Sequence, residues 1–168
     1  MEGLIDVLGR ESGLYEELLK LSSTKTPVIV AGDLDQLATV TEKEQQVVDR
    51  IADLEKERQQ SMKDIADVLN KDVRTLTITD LIALLVKRPA EAKALARERD
   101  RLKDVAKRVR LVNEQNQQLL QSSLEMVQFE MNIIQASRKA PETANYTRTA
   151  GAAGETIGYT ASGFDAKQ

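Results

Sequence analysis

The chain has 168 residues, a net charge of −3 and a pI near 5.2, and it contains neither histidine nor cysteine. These absences exclude thiolate nucleophiles, Ser-His-Asp triads and zinc sites of the usual ligand set. Aromatic residues make up only 3% of the chain, too few to line a typical small-molecule pocket. The acidic balance gives no reason to expect nucleic acid as a partner. We therefore predict a protein that binds a partner, uses no cofactor and is not an enzyme.

No stretch of the chain predicts insertion into a membrane. The apolar runs are all shorter than the roughly 18 residues that a membrane-spanning helix needs. The first six residues, Met1 to Asp6, include two acids and no base, so they do not predict a secretory signal. The lack of cysteine fits a reducing compartment. We expect a cytoplasmic protein without stable membrane insertion.

The first predicted helix has one apolar stripe at three- and four-residue steps. We expect it to end near the Ser22-Ser23-Thr24 cluster and Pro27. The short apolar segment Val28 to Ala31 is predicted to be a loop that packs its side chains against the bundle, and Gly32 follows it. The stripe consists of Leu4, Val7, Leu8, Glu11, Leu14, Tyr15, Leu18 and Leu21.

The second predicted helix begins at Asp33, whose side chain can cap it, with Gln36 completing a capping-box pattern. No Gly or Pro interrupts residues 33–70, so this helix would be about 55 Å long. Such a length, together with a heptad repeat, favours a coiled coil. The predicted seam is Leu37, Val40, Glu44, Val47, Ile51, Leu54, Arg58, Ser61, Ile65 and Val68.

A short helix is predicted from Thr79 to Lys87, because Thr77 and Asp80 form a cap signal. Its residues are apolar on most sides, so we expect it to close one end of the bundle. Pro89 suits the first turn of a last helix that runs to about Ser137. The predicted seam of this helix is Leu95, Leu102, Val105, Val109, Val112, Asn116, Leu119, Ser123, Met126, Glu130 and Ile133.

The two long helices should lie antiparallel, because a compact element joins them. Residues 33–70 contain ten acids and five bases, whereas residues 87–110 contain ten bases and four acids. These opposite charges favour pairing of the two helices, and a solvated face matched to the acidic helix is a better interpretation of the basic stretch than a nucleic-acid site. The predicted fold class is all-α: an elongated antiparallel coiled-coil bundle of three main helices and a short capping helix, with a disordered C-terminal tail.

Amides dominate residues 111–120 of the last helix, and Asn116 falls on the predicted seam. One buried amide can fix the register of a coiled coil. Alternatively, the segment is a surface that must accept another helix. Leu120, Leu124, Val127, Met131 and Ile134 form a second apolar stripe beside the seam. Either the first helix covers this stripe, or an amphipathic helix of a partner binds to it.

The composition changes after Ser137. Residues 138–168 contain four of the eight glycines and show no apolar periodicity, which predicts disorder. They also contain Tyr146, Tyr159 and Phe164, three of the five aromatic residues of the chain. We therefore predict two parts, a helical-bundle domain at 1–137 and a flexible tail at 138–168. The tail either docks its rings on a partner or acts as a simple tether.

The sequence resembles the FlgN family of flagellar export chaperones over nearly its whole length. Four features support the resemblance. They are Gly32-Asp33-Leu34, the charged run Thr41-Glu42-Lys43-Glu44-Gln45, the amide-rich segment from Leu111 to Leu120, and the tail that ends Phe164-Asp165-Ala166-Lys167.

The resemblance implies a cytoplasmic chaperone of flagellum biogenesis that uses no nucleotide. Such proteins bind the helical termini of hook–filament junction (hook-associated) proteins, prevent their premature self-association and deliver them to the flagellar type III export apparatus. A homodimer is possible, and the alternative is a self-assembling structural coiled coil with no specific client. The implied client-binding residues are Asn113, Asn116, Leu120, Leu124, Val127, Tyr146, Tyr159 and Phe164.

Overall fold

A computed structural model describes residues 1–138, and within them the chain forms four helices and no strand. The helices are α1 (Glu2–Ala31), α2 (Leu34–Val68), α3 (Ile78–Leu84) and α4 (Pro89–Arg138). The chain divides into two units, Met1–Gln128 and Phe129–Gln168. The bundle and its cores belong to the first unit. The predicted all-α bundle of three main helices and one short helix is thus confirmed, whereas the predicted domain boundary at residue 137 stays a prediction.

The structure corrects the predicted end of α1, which continues through Pro27 to Ala31 as one α-helix. Pro27 lies on the exposed side of the helix, while Ile29 is buried and packs inward. The expected burial of this segment is therefore right, but its loop conformation is wrong. Tertiary packing here outweighs the roughly 3 kcal/mol that proline costs in a helix interior.

A tight turn at Gly32 reverses the chain between α1 and α2. Gly32 has a positive φ of 67°, and its N–H donates to the carbonyl of Ile29 while the N–H of Asp33 donates to the carbonyl of Val28. This is the Schellman arrangement, in which glycine avoids the strain that other residues meet in the left-handed region. Asp33 then caps α2, because its Oδ1 accepts a hydrogen bond from the N–H of Gln36 at 2.9 Å.

Two hydrophobic clusters hold α1, α2 and α4 together and define their directions. One cluster joins the start of α1 to the end of α2 and the start of α4, and the other joins the middle parts of the same helices. Therefore α1 and α4 run in the same direction, and α2 runs antiparallel to both, as expected. The first cluster contains Leu4, Leu8, Met62, Ala66, Leu76, Leu81, Leu85 and Leu95; the second contains Leu14, Leu18, Val47, Ile51, Leu54 and Val109.

The buried face of α2 shifts along the helix. Val47, Ile51 and Leu54 of the predicted seam are buried, but Val68 is 86% exposed, and Met62 and Ala66 are buried in its place. An α-helix drifts by about 20° per heptad relative to a strict seven-residue repeat. Over the length of α2 this drift moves the last heptad position out of the core.

The short helix α3 closes one end of the bundle, as predicted, but it spans fewer residues than expected. Thr77 and Asp80 form a reciprocal capping box at its start, and the buried side chain of Leu81 packs in the first cluster. The helix ends after Leu84, and Val86 is exposed.

Ion pairs between the helices differ from the expected pattern. Within residues 1–138 they connect α1 with α2 or α1 with α4, and none connects α2 with α4. On α4, Arg101 donates two hydrogen bonds of 2.9 Å to Glu16 of α1. Half-exposed ion pairs such as Arg101–Glu16 contribute little free energy, so burial of the apolar clusters contributes more to the packing of α1 with α4. The α1–α2 pairs are Arg10–Glu57, Glu11–Arg58, Glu17–Arg50 and Lys25–Glu44.

Candidate partner-binding site

The candidate site begins where α4 leaves the core of the bundle. Val109 and Asn116 are buried and Leu120 is half-buried, but every residue from Gln121 to Arg138 is exposed. The α1–α2 turn lies at Gly32, and Thr26 of α1 lines a shallow pocket together with Leu119 of α4. The α1–α2 hairpin turns six residues after Thr26, and in the first unit no side chain of α4 from Gln121 to Gln128 is buried.

Asn116 is a buried part of the bundle. Its side chain is 3% exposed, its Nδ2 donates to the carbonyl oxygen of Ser22 at 2.8 Å, and its Oδ1 accepts from the hydroxyl of Thr26 at 2.7 Å. Of the two interpretations of the amide-rich segment, this geometry fits the register device at Asn116. Asn113 lies three residues earlier and is exposed. The two asparagines therefore have different surroundings, and Asn113 alone of this pair is accessible to a partner.

The second apolar stripe is uncovered on the part of α4 that belongs to the first unit. Leu124 is 70% exposed and Val127 is 53% exposed, so α1 does not cover them. Met126, from the predicted seam, is exposed as well. The predicted seam of α4 is thus correct as far as Leu119, whereas Ser123 and Met126, which follow it in the first unit, are exposed.

A shallow open groove of about 500 Å³ runs between side chains of this segment. Leu120 and Leu124 supply its apolar surface, and Glu125 accepts a hydrogen bond from Nε2 of Gln121 at 3.3 Å. The sequence analysis identified the two leucines and placed Gln117 in the amide-rich segment, but it missed Gln121, Glu125 and Gln128. The spacing of the sequence could have identified these polar residues, since they follow one another at steps of three or four residues along the helix. The whole polar lining consists of Gln117, Gln121, Glu125 and Gln128.

The second unit begins with the last turns of α4. Phe129, Met131, Ile133 and Ile134 are all large apolar residues with exposed side chains. Phe129 was not singled out by the sequence analysis, although an aromatic residue in a chain with five is a recognisable signal. The predicted site residues Tyr146, Tyr159 and Phe164 lie outside the described residues.

A buried ionic cluster lies elsewhere in the bundle, among α1 and α2. Burial raises the pKa of Glu11, although Arg58 lies 3.3 Å away and favours its ionised form. A hydrogen bond from Arg58 lowers the pKa of Glu55. Arg58 thus donates a hydrogen bond to the more exposed Glu55, whereas at Glu11 the effect of burial on the pKa is larger than the attraction of Arg58.

The exposed segment of α4 offers contact surface and not reactive groups. In the part of the chain that the structure describes, no group of three or more acidic side chains is placed to hold a metal ion. None of the four helices is long and apolar enough to cross a membrane. What this segment can do chemically is bury Leu124 and Val127 against another apolar surface, with amides at the edge for hydrogen bonds.

The fold and the exposed segment together define a helical-bundle protein whose last helix presents an uncovered apolar face, an arrangement suited to binding an amphipathic helix. The family model described as FlgN protein matches residues 1–154, which is most of the chain, so the chain belongs to the FlgN family. This family consists of flagellar export chaperones, and that is the general role of the chain. No curated protein and no solved structure matches the chain.

Proposed function

We propose that the exposed segment of α4 binds the helical termini of hook–filament junction (hook-associated) proteins before their export. The observation that supports this most strongly is the exposure of Leu124 and Val127 on a helix that has no neighbour there. An apolar helix face left in water invites association, and an amphipathic client helix is the partner whose shape and chemistry fit it. Within this proposal, Asn113, Leu120, Leu124 and Val127 contact the client.

Asn116 has an indirect part in the proposed site. Because its amide is bonded to Ser22 and Thr26, it holds α4 against α1 immediately before the exposed segment begins. It therefore positions the binding segment and does not contact the client itself. Tyr146, Tyr159 and Phe164 are proposed to add contacts from the tail, where aromatic rings would supply large apolar surfaces.

The proposed cycle needs no nucleotide. In the cytoplasm, the client helix is shielded from self-association while its apolar side lies on α4. At the type III export apparatus, a competing partner takes over the client, and release follows from the difference between two affinities. The chaperone then returns to its unbound state with α4 exposed.

Calorimetric titration of the full-length protein with a C-terminal or N-terminal fragment of a junction protein tests this proposal. We expect a one-to-one complex with a negative heat-capacity change, which marks the burial of apolar surface. The absence of binding by both fragments would refute the proposal. A second protein truncated after Ser137 separates the two parts of the site: weaker binding supports a role for the tail, whereas equal binding assigns the client to α4 alone.

The second candidate function is a self-assembling structural coiled coil, because the same exposed residues, including Met126, could pack against another copy. Sedimentation equilibrium over a wide concentration range distinguishes the two. A stable oligomer that persists at low concentration and does not bind junction-protein fragments would favour self-assembly. A monomer, or a dimer that the fragment dissociates, would favour the chaperone.

A further inference from the structure

Charge is distributed unevenly along α4. Residues 87–110 carry ten bases and four acids, and several of these side chains form ion pairs within the bundle, for example Arg101 with Glu16. From Leu111 to Ser137, by contrast, the charged residues are Glu114, Glu125 and Glu130, and there is no Lys or Arg. The segment of α4 that leaves the core is thus apolar, rich in amides and acidic.

Two of these carboxylates lie on or beside the groove. Glu114 is followed by Gln117, Gln121 and Leu124 at steps of three, four and three residues, so these side chains occupy one line along the helix. Glu125 lines the groove itself. Neither Glu114 nor Glu125 forms an ion pair with any residue from 1 to 138, so their negative charges are open to a partner.

We propose that this face, if it binds a client under the proposed function, selects an amphipathic helix whose apolar stripe is flanked by Lys or Arg. The apolar stripe packs on Leu120, Leu124 and Val127, and the flanking cations approach Glu114 and Glu125. The amides of Gln117 and Gln121 donate to or accept from polar side chains at the edge of the interface. Attraction between unlike charges adds to the affinity and fixes the position of the client helix along the groove.

The same charges disfavour a second copy of this chain as the occupant. Two copies paired through residues 111–137 would bring carboxylates together, because no cation exists in this range to match them. Like charges in proximity weaken association, and the effect grows as water is excluded from the interface. The charge pattern therefore favours a client of opposite sign over self-association through this face.

A matched pair of synthetic peptides tests the proposal with the full-length protein. Both are about 20 residues long and carry the same leucine stripe, but one has lysines and the other glutamates beside the stripe. Binding is measured by fluorescence anisotropy at about 50 mM and at about 500 mM NaCl, which span weak and strong screening. We expect the lysine peptide to bind about fivefold more tightly or better at low salt, and this preference to shrink at high salt.

The variant Glu114→Gln/Glu125→Gln locates the preference on α4. It should bind the lysine peptide about two- to fivefold more weakly at low salt and leave the glutamate peptide unaffected or slightly improved. Glu42→Gln on α2 is the matched control, because it changes an exposed carboxylate away from the groove. Equal binding of the two peptides, a preference for glutamate, or the same loss in Glu42→Gln would overturn the proposal.

These outcomes remain distinct from failure of the proposed function. If a junction-protein fragment binds to α4 but the peptides show no charge preference, the chaperone proposal stands and the charge-selection proposal is wrong. If the lysine peptide binds with the expected preference but neither junction-protein fragment binds, the charge-selection proposal is supported. The proposal that junction proteins are the clients is then wrong. If the Glu114→Gln/Glu125→Gln variant binds the lysine peptide as tightly as the original protein does at low salt, the two carboxylates do not cause the preference.

Discussion

Asn116 on α4 donates a hydrogen bond to the carbonyl oxygen of Ser22 on α1, at 2.8 Å, where the two helices last share a buried contact. The hydroxyl of Thr26 donates to the other end of the same amide. Both polar groups of the side chain are therefore engaged with α1. A shift of α4 by one turn would break both bonds inside the bundle, so this contact fixes the axial position at which the exposed segment of α4 begins.

The substitution Asn116→Ala should lower the free energy of unfolding by about 1–3 kcal/mol, because it removes the two hydrogen bonds of a buried amide and leaves a small cavity. The matched control is Asn113→Ala, which removes an exposed amide three residues earlier and should change stability by less than about 0.5 kcal/mol. Urea denaturation followed by circular dichroism measures both. Equal stabilities of the two variants would show that the buried contact does not hold the register.

Replacing both exposed apolar residues, as Leu124→Ser/Val127→Ser, should weaken binding of a junction-protein fragment about tenfold or more. Each side chain would lose roughly 1.5–3 kcal/mol of burial if it is fully covered in the complex, and about 1.4 kcal/mol corresponds to a factor of ten. The midpoint of thermal unfolding should barely change, since neither side chain is buried in the free protein. The control Val68→Ser alters an even more exposed residue on α2 and should leave the affinity unchanged. Loss of affinity in the control, or none in the double variant, would contradict the site.

The raised pKa of Glu11 predicts that the substitution Glu11→Gln stabilises the protein to an extent that depends on pH. Burial raises its pKa above the ordinary 4.5, so the folded state prefers the protonated form. Protonation of Glu11 therefore stabilises the folded state. This stabilisation is fully present below the ordinary pKa of 4.5 and is lost as the pH rises through the raised pKa of the folded state. Because Gln resembles the protonated side chain, Glu11→Gln should melt at a higher temperature than the original protein at about pH 7, and the difference should vanish at low pH.

The matched control for Glu11 is Glu55→Gln. The hydrogen bond from Arg58 lowers the pKa of Glu55, so its ionised form stabilises the folded state above the unfolded pKa, and this contribution is lost as the pH falls through the lowered value. Glu55→Gln should therefore melt at a lower temperature than the original protein at neutral pH. Thermal scans at several pH values measure both variants, and a lower midpoint for Glu11→Gln at neutral pH would show that its pairing with Arg58 outweighs burial.

Replacing glycine by alanine should have opposite effects on stability at two positions of the α1–α2 hairpin. Gly13 lies within α1, and a Cβ there would meet nothing within 4 Å, so Gly13→Ala should stabilise the protein by about 0.5–1 kcal/mol. Gly32 has a positive φ, so Gly32→Ala should destabilise it by about 1 kcal/mol. Chemical denaturation compares the pair. Stabilisation by both substitutions would contradict the left-handed turn at Gly32.

Local sequence signals predicted most of the helices, because their physical causes act over a few residues. Asp33 and Thr77 cap the helices where the patterns placed them, and Pro89 begins α4. The predicted end of α1 was wrong because a proline signal is local, whereas the packing of Ile29 against the bundle is not. The last position of the α2 seam was wrong because a heptad template ignores the drift of a straight helix.

The candidate site was predictable in part. The periodicity identified Leu120, Leu124 and Val127 as a second stripe, but the same pattern would arise on a helix covered from both sides. Whether α1 reaches these residues depends on where the α1–α2 hairpin ends along α4, and the contact of Thr26 with Asn116 sets that position. The roles of Tyr146, Tyr159 and Phe164 remain predictions.

The sequence by itself determined the helical class, the caps and the apolar stripes, since these follow from residue spacing and local hydrogen bonding. It also determined the acidic character of the last part of α4. Only the tertiary structure decided which stripe is buried and which asparagine is accessible, because burial is a property of helices packed at a particular register. The same residue type is therefore a buried contact at position 116 and an exposed side chain at position 113.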